Sequence, residues 1–237
     1  SGYGISLRTL VVFAGKQYQD ADVMDAAQQA ISVILFKLEG QIIARHPEYQ
    51  MDDRRMLEKI DYDKGTVTIE GREYPLNRRD FPTVDRENPY KLTEEEEEVL
   101  SDLRHSFQNS GRLHQHVQFL CDRGGMYCRF NGNLLYHGCI PLDEEGNFEG
   151  IRLQDKVYKG KEYLDYADEE VRRICLSGAP TPEQDFIWYL WAGQNSPLSG
   201  RKIKTFERAY LDDKEITVEK RNPYYDYYQK EYICNMI

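Results

Sequence analysis

Five histidines, five cysteines and one short basic run are the residues of this 237-residue chain with the most chemistry to offer. His137 stands in NGNLLYHGCIP, directly after the apolar Leu134, Leu135 and Tyr136 and directly before Gly138. A histidine at the exit of a strand, beside a glycine that lets another group approach, suits a ligand reaching a metal or phosphate from a rigid base. The same pattern also describes a histidine packed in the core, and spacing alone leaves both readings open. His114 and His116 form an HQH pair. Two residues apart on a helix is roughly 200° around the axis, so the rings diverge and chelation would need a strand. Val117, Phe119 and Leu120 follow with helical spacing, so this pair reads as structural, as does His105. His46, just before Pro47, reads as a helix-end residue.

The stretch GQNSPLSGRKIKTFER brings Arg201, Lys202, Lys204 and Arg208 close together in an otherwise acidic chain. Such a patch could hold a phosphate group, since Arg grips phosphate with two parallel hydrogen bonds. An ion-paired, solvated helix start is the competing reading. The run Glu94–Glu98 invites a metal-binding story, but Thr93 before it and Glu96 three residues later form a capping box. Glutamates in a first turn also meet the positive end of the helix dipole, so this run reads as a solvated helix start. The odd number of cysteines, with no C-x-x-C pair, points to reduced thiols rather than a disulfide framework or a zinc knuckle.

These residues need elements to hold them. Val23, Ala27, Ala30, Ile31, Ile34, Leu35, Leu38 and Ile42 recur at three- and four-residue spacing, which predicts an amphipathic helix ending near Arg45. Alternation around Val67 and Ile69, with turns at Lys64-Gly65 and Glu70-Gly71, predicts a small β-meander. Helices are expected from Thr93 through Phe107, from Gly111 to Cys121, and over GKEYLDYADEEVRRICLSG, with Leu164, Ala167, Val171 and Ile174 on one side and Gly178 as the stop. Another should begin at APTPEQDFIWYLW, with Thr181 as cap, Pro182 in its first position and Gln184 completing a capping box, burying Trp188 and Trp191. Asn131-Gly132 sits between two β-rich runs and predicts a tight hairpin that places His137 at the end of its second strand. The architecture expected is a helix-rich α+β chain, with residues 1–90 a helical and β-meander region and 91–237 a helical region plus the hairpin.

Composition bounds the function. At 40 % hydrophobic residues the chain has enough apolar material for a real core. A net charge of −10 repels nucleic acid and anionic lipid, so neither is an expected partner. No run approaches the roughly 18 apolar residues of a membrane span, which points to the cytoplasm. An anionic substrate then needs a local site, where a divalent metal or clustered Arg and Lys reverses the sign of the field.

The runs FNGNLLYHGCIPL, WYLWAGQNSPLSGRKIKTFER and EKRNPYYDYY, with GYGISL near the start, resemble the class III fructose-1,6-bisphosphatases of bacteria. The first run is similar to the single-histidine metal motif of the wider calcineurin-like metallophosphoesterases. The resemblance covers most of the chain from Phe119 onward. It implies hydrolysis of the 1-phosphate of fructose 1,6-bisphosphate to fructose 6-phosphate in gluconeogenesis, through a manganese-dependent metal pair that activates water. It implies one metal ligand, His137. The D-x-H, G-D-x-x-D-R-G and G-N-H motifs that should hold most of a binuclear site do not occur, nor does a closing G-H-x-P-like segment. The expectation is therefore an internal piece of a longer enzyme, catalytically poor alone, whose hairpin joins the metallophosphoesterase sheet. Two alternatives stay open: a metallophosphatase acting on another substrate such as a phosphoprotein, and a non-catalytic insert that regulates or forms a homo-oligomer.

Overall fold

The computed structural model describes residues 2–177, 184–219 and 227–237. The chain divides into two compact units, residues 1–117 with 205–217, and residues 118–204 with 218–237. By compactness, residues 91–117 thus fall with the first segment.

In the first unit the expected long helix is α2 (Val23–Arg45). Asp22 caps it, its carboxylate accepting from the N–H groups of Met24 and Asp25 at 2.9 and 3.2 Å. The helix stops where Pro47 requires, with His46 as its C-cap, stacked on Tyr49 at 4.7 Å between ring centroids. One side, Ala26, Ala27, Ala30 and Ile34, packs with Leu10, Phe13 and Ala14 of α1 (Arg8–Gln17) and Val99 of α3 (Glu94–Gln108). The other side, Val33 and Phe36, packs with the meander and with Phe206 and Tyr210 of α7 (Thr205–Tyr210). The amphipathic reading was too narrow, because α2 is enclosed on two sides by separate clusters.

The meander is antiparallel, β1 (Ile60–Asp61), β2 (Thr66–Ile69) and β3 (Arg72–Pro75) in that order. Val67 and Ile69 face the core, and Glu70 and Gly71 take φ values of 50° and 78° at the second turn. The capping box at Thr93 and Glu96 is present. Glu96 is nevertheless fully buried rather than solvated, because its carboxylate does three jobs. It accepts from Lys37 Nζ at 2.7 Å, from Thr83 Oγ1 at 2.7 Å and from the Thr93 N–H at 2.8 Å. Lys37 Nζ also donates to the Thr83 carbonyl at 2.6 Å, so both buried charges are satisfied.

α4 (Gly111–Arg123) begins in the first unit, and from residue 118 it belongs to the second, where it runs into the hairpin of β4 (Tyr127–Phe130) and β5 (Asn133–Tyr136). Asn131 and Gly132 take φ of 51° and 74°, as a tight primed turn demands. A second two-stranded sheet, β6 (Ile151–Leu153) and β7 (Lys156–Tyr158), leads into α5 (Gly160–Ser177) and α6 (Asp185–Ala192). Helices dominate and every sheet is small and antiparallel, so the chain has the expected α+β class. Tyr163, Leu164 and Ala167 of α5 are buried, while Val171 and Ile174 are only partly so.

Three details correct the sequence reading. Cys121 and Cys175 form a disulfide between α4 and α5, leaving Cys128, Cys139 and Cys234 free; the residues lie 54 apart in sequence, so no short motif announced them. Trp191 is 48 % exposed and Trp188 half-buried, because Phe186, Tyr189, Leu190 and Ala192 occupy the inward face of α6. The helix stop at Gly178 and the cap at Thr181 and Pro182 lie outside the described residues, and Gln184 is the N-cap of α6, its side chain making no capping bond to the helix.

Candidate functional site

The hairpin that leads to His137 rests on α5. β4 and β5 pair Tyr127 with Tyr136 at their base and Phe130 with Asn133 at the turn. Tyr127 Oη donates to Asp165 Oδ1 at 3.0 Å, and Lys161 Nζ donates to Asp165 Oδ2 at 2.5 Å. Lys161 and then Tyr127 hold the Asp165 carboxyl below the usual range. One turn on, Arg172 donates to Asp168 Oδ2 at 2.8 Å and to the carbonyls of Cys121 and Gly124 at 2.5 and 2.6 Å. Asp168 Oδ1 accepts from the Met126 N–H at 3.3 Å. The Cys121–Cys175 bond ties the same two helices covalently.

His137 follows β5 and is exposed, so it is not the core histidine of the alternative reading. The next three residues are fixed in turn. Gly138 N–H donates to the Pro197 carbonyl at 2.8 Å. A Cβ there would stand 2.5 Å from that oxygen and 2.7 Å from Leu198 C. The glycine thus admits the chain's own backbone, where the sequence suggested room for a ligand. Cys139 is buried, its Sγ donates to the Ser196 carbonyl at 3.3 Å, and burial followed by the charge of Glu149 pushes its thiol up to about 12. Ile140 N–H donates to Tyr228 Oη at 2.6 Å, and Tyr228 Oη donates back to the Ile140 carbonyl at 2.5 Å. The receiving loop is held as well, through Ser196 Oγ on the Leu190 carbonyl and Tyr163 Oη on the Asn195 carbonyl.

His137 therefore projects from a ledge held at three consecutive residues, through the backbone of Gly138 and Ile140 and the thiol of Cys139. Beside the hairpin lies a cavity of about 680 Å³, lined among others by Tyr127, Tyr136, Tyr228, Arg129 and Lys161. Two cations among aromatic rings suit a small anionic ligand.

The other candidates separate. Arg201, Lys202 and Lys204 lie in the second unit and Arg208 in the first, so they do not form one cluster within a unit. Arg201 stands 3.9 Å from Glu219 as an ion pair, and Lys204 is buried with its backbone N–H on Glu219 Oε1 at 3.4 Å. His114 and His116 both lie in α4, and His116 Nδ1 is 3.0 Å from Tyr3 Oη. Among the described residues no group of three or more His, Cys, Asp or Glu could hold a metal ion. Taken alone they do not fit a complete metal centre; His137 is one of four exposed histidines, with His105, His114 and His116, and none of them stands in such a group. Among them no helix is long and apolar enough to cross a membrane. Sequence reasoning missed Ser196, Pro197 and Tyr228, which looked like loop and tyrosine-rich surface; only the bonds to residues 138–140 reveal them.

The family described as Firmicute fructose-1,6-bisphosphatase matches residues 1–237. The chain belongs to this family. Relatives named fructose-1,6-bisphosphatase class 3 are 43 % identical in Clostridium acetobutylicum, over 98 % of this chain and 39 % of the relative, and 41 % identical in Clostridium tetani, over 100 % of this chain and 39 % of the relative. The Clostridium botulinum relative is 41 % identical over 99 % of this chain and 40 % of its own length. The chain thus spans about two fifths of these relatives. No solved structure matches. For a member of the bisphosphatase family, an exposed histidine on a pinned ledge is the feature of this chain with the clearest chemical use.

Proposed function

We propose that this chain is a section of a fructose-1,6-bisphosphatase that removes the 1-phosphate of fructose 1,6-bisphosphate in gluconeogenesis, and that His137 supplies one ligand to its metal centre. The observation that carries the activity is the family match along all 237 residues. The role of His137 is supported by its exposure next to residues that cannot drift, since a ligand held in place loses little order on binding a metal. Manganese is the metal expected, and a bound pair of divalent cations supplies an activated water and neutralises phosphoryl oxygens. One imidazole does not hold two such ions, which take several carboxylate and imidazole ligands. No hydrolytic step is therefore assigned to residues of this chain, which by itself should be inactive. Residues 91–237 are proposed to include part of the catalytic domain. Arg201, Lys202, Lys204 and Arg208 remain proposed contacts for the uncleaved phosphate, a role that the pairing of Arg201 with Glu219 does not favour.

The test is phosphate release from fructose 1,6-bisphosphate with added manganese, by the full-length protein and by this chain alone. Activity in the first and none in the second supports the reading; release from phosphoproteins but not from the sugar bisphosphate overturns the substrate. A second reading, association of copies through this region, is favoured by exposed Phe119, Leu120, Phe130 and Leu135. Sedimentation that shows a concentration-dependent dimer would support it.

A further inference from the structure

We propose that a cavity in the first unit binds a free amino acid, held at once by its ammonium and its carboxylate. The cavity lies where the turn between α1 and α2 meets Tyr62, just after β1, and residues 77–86, between β3 and α3. It measures about 810 Å³, ample for a small molecule, and Tyr18, Asp20, Tyr62, Arg79, Asp80 and Phe81 are among the residues lining it. Its walls carry both signs of charge. Arg78 pairs with Asp25 at 2.7 Å, and Arg86 pairs with Asp63 at 2.8 Å while lying over the Tyr62 ring. Those four charges cancel. Arg79, Asp20 and Asp80 are left over, and among the described residues none of these three side chains has an ion pair or a hydrogen bond, with one another or with any other group.

A ligand of one charge leaves such a wall half satisfied. A plain anion, phosphate included, is attracted by Arg79 and repelled by Asp20 and Asp80, and a plain cation meets the reverse. A zwitterion satisfies both signs: its carboxylate takes the fork of Arg79 in two parallel hydrogen bonds, and its ammonium goes to the two aspartates. The Arg79 guanidinium is already in place, resting on Gly65, where a Cβ would stand 2.4 Å from its Nε. Tyr18 is a second and independent sign. It is 6 % exposed, and its Oη is buried without a hydrogen-bond partner, an arrangement that folded proteins rarely leave standing. Burial, followed by nearby Tyr210, raises its pKa, so the hydroxyl keeps its proton and can donate to a carboxylate. Tyr62 and Phe81, edge to face at 5.7 Å between centroids, give the carbon skeleton an apolar side to rest on. Binding here needs neither a metal nor turnover.

The test is saturation-transfer NMR of the common L-amino acids on the full-length protein in the presence of a chelator, with the affinity of each binder then measured by calorimetry. Each binder is compared with its analogue lacking the amino group, its analogue lacking the carboxylate, and inorganic phosphate. The expected result is that at least one amino acid binds, and that neither single-charge analogue nor phosphate binds as tightly. Arg79→Gln and Tyr18→Phe should each weaken binding at least about 10-fold, since each removes a hydrogen bond to a charged group. Tyr18→Phe should do so at an unchanged unfolding midpoint, because its hydroxyl bonds no other group of the chain. If that variant fails to fold, Arg79→Gln, at an exposed residue, decides alone. No binding by any common amino acid overturns the proposal. Binding that a folded variant of either kind keeps at wild-type strength also overturns it, by putting the amino acid elsewhere. Phosphate or the deaminated analogue binding as tightly as the amino acid makes the cavity an anion site and overturns it as well.

Discussion

Replacing Gly138 by alanine tests the ledge directly, because the sign of the effect depends on one close approach. The added Cβ would sit 2.5 Å from Pro197 O, 2.7 Å from Leu198 C and 2.9 Å from Pro197 C, all of them backbone atoms that no rotamer change can clear. Overpacking of this kind costs about 1–3 kcal/mol. Parting the chains also breaks the 2.8 Å bond from Gly138 N–H to Pro197 O, worth about 1 kcal/mol. Against this, alanine reduces the freedom of the unfolded chain and returns about 0.4–1 kcal/mol. The net expectation is a loss of about 1–3 kcal/mol. Urea unfolding followed by circular dichroism reads it as a lower midpoint. Gly15→Ala is the control, since Gly15 lies within α1 with nothing near its Cβ position and should gain about 0.5–1 kcal/mol. If Gly138→Ala also raises the midpoint, the backbone approach is wrong, and so is the pinned base from which His137 is argued to work.

Lys37→Met strands Glu96 as a buried charge and should cost about 3–5 kcal/mol in unfolding free energy, while Lys37→Met with Glu96→Leu should recover much of it. Alkylation of the unreduced, denatured protein should label three cysteines, Cys128, Cys139 and Cys234, and five after reduction. Cleaving the Cys121–Cys175 tie should lower stability by about 4 kcal/mol from loop entropy; five labels before reduction would show that the tie does not form. Asp165 is held below the ordinary carboxylate value of about 3.9 by Lys161 and Tyr127. Its support of the hairpin is therefore complete above that pH and is lost as the pH falls through the lowered value. Lys161→Ala should bring the Asp165 titration, read by NMR, back up toward the ordinary value, and an unmoved titration would refute the tie.

Local chemistry made the first unit largely readable. Pro47 stopped α2, Thr93 and Glu96 capped α3, and Glu70-Gly71 turned the meander, each through bonds between near neighbours in sequence. What escaped depended on partners far along the chain. Glu96 looked solvated because its run is acidic, yet Lys37, 59 residues earlier, comes to meet it. Periodicity placed Trp188 and Trp191 on an apolar helix but could not say which face the rest of the unit would cover. At the candidate site, the turn at Asn131-Gly132 put His137 at the end of a strand, while the reason for Gly138 was invisible until Pro197 was seen against it. The basic run was legible as charge, but its counter-ions, such as Glu219, were not.

The central claim is that His137 gives one ligand to the metal centre of a fructose-1,6-bisphosphatase. Calorimetric titration of manganese into the full-length protein, wild type against His137→Ala, with phosphate release measured on the same samples, tests it most directly. The variant should lose tight binding at one site and lose turnover by orders of magnitude while keeping its unfolding midpoint. Wild-type manganese binding and turnover in the variant would contradict it and leave this ledge without a catalytic role.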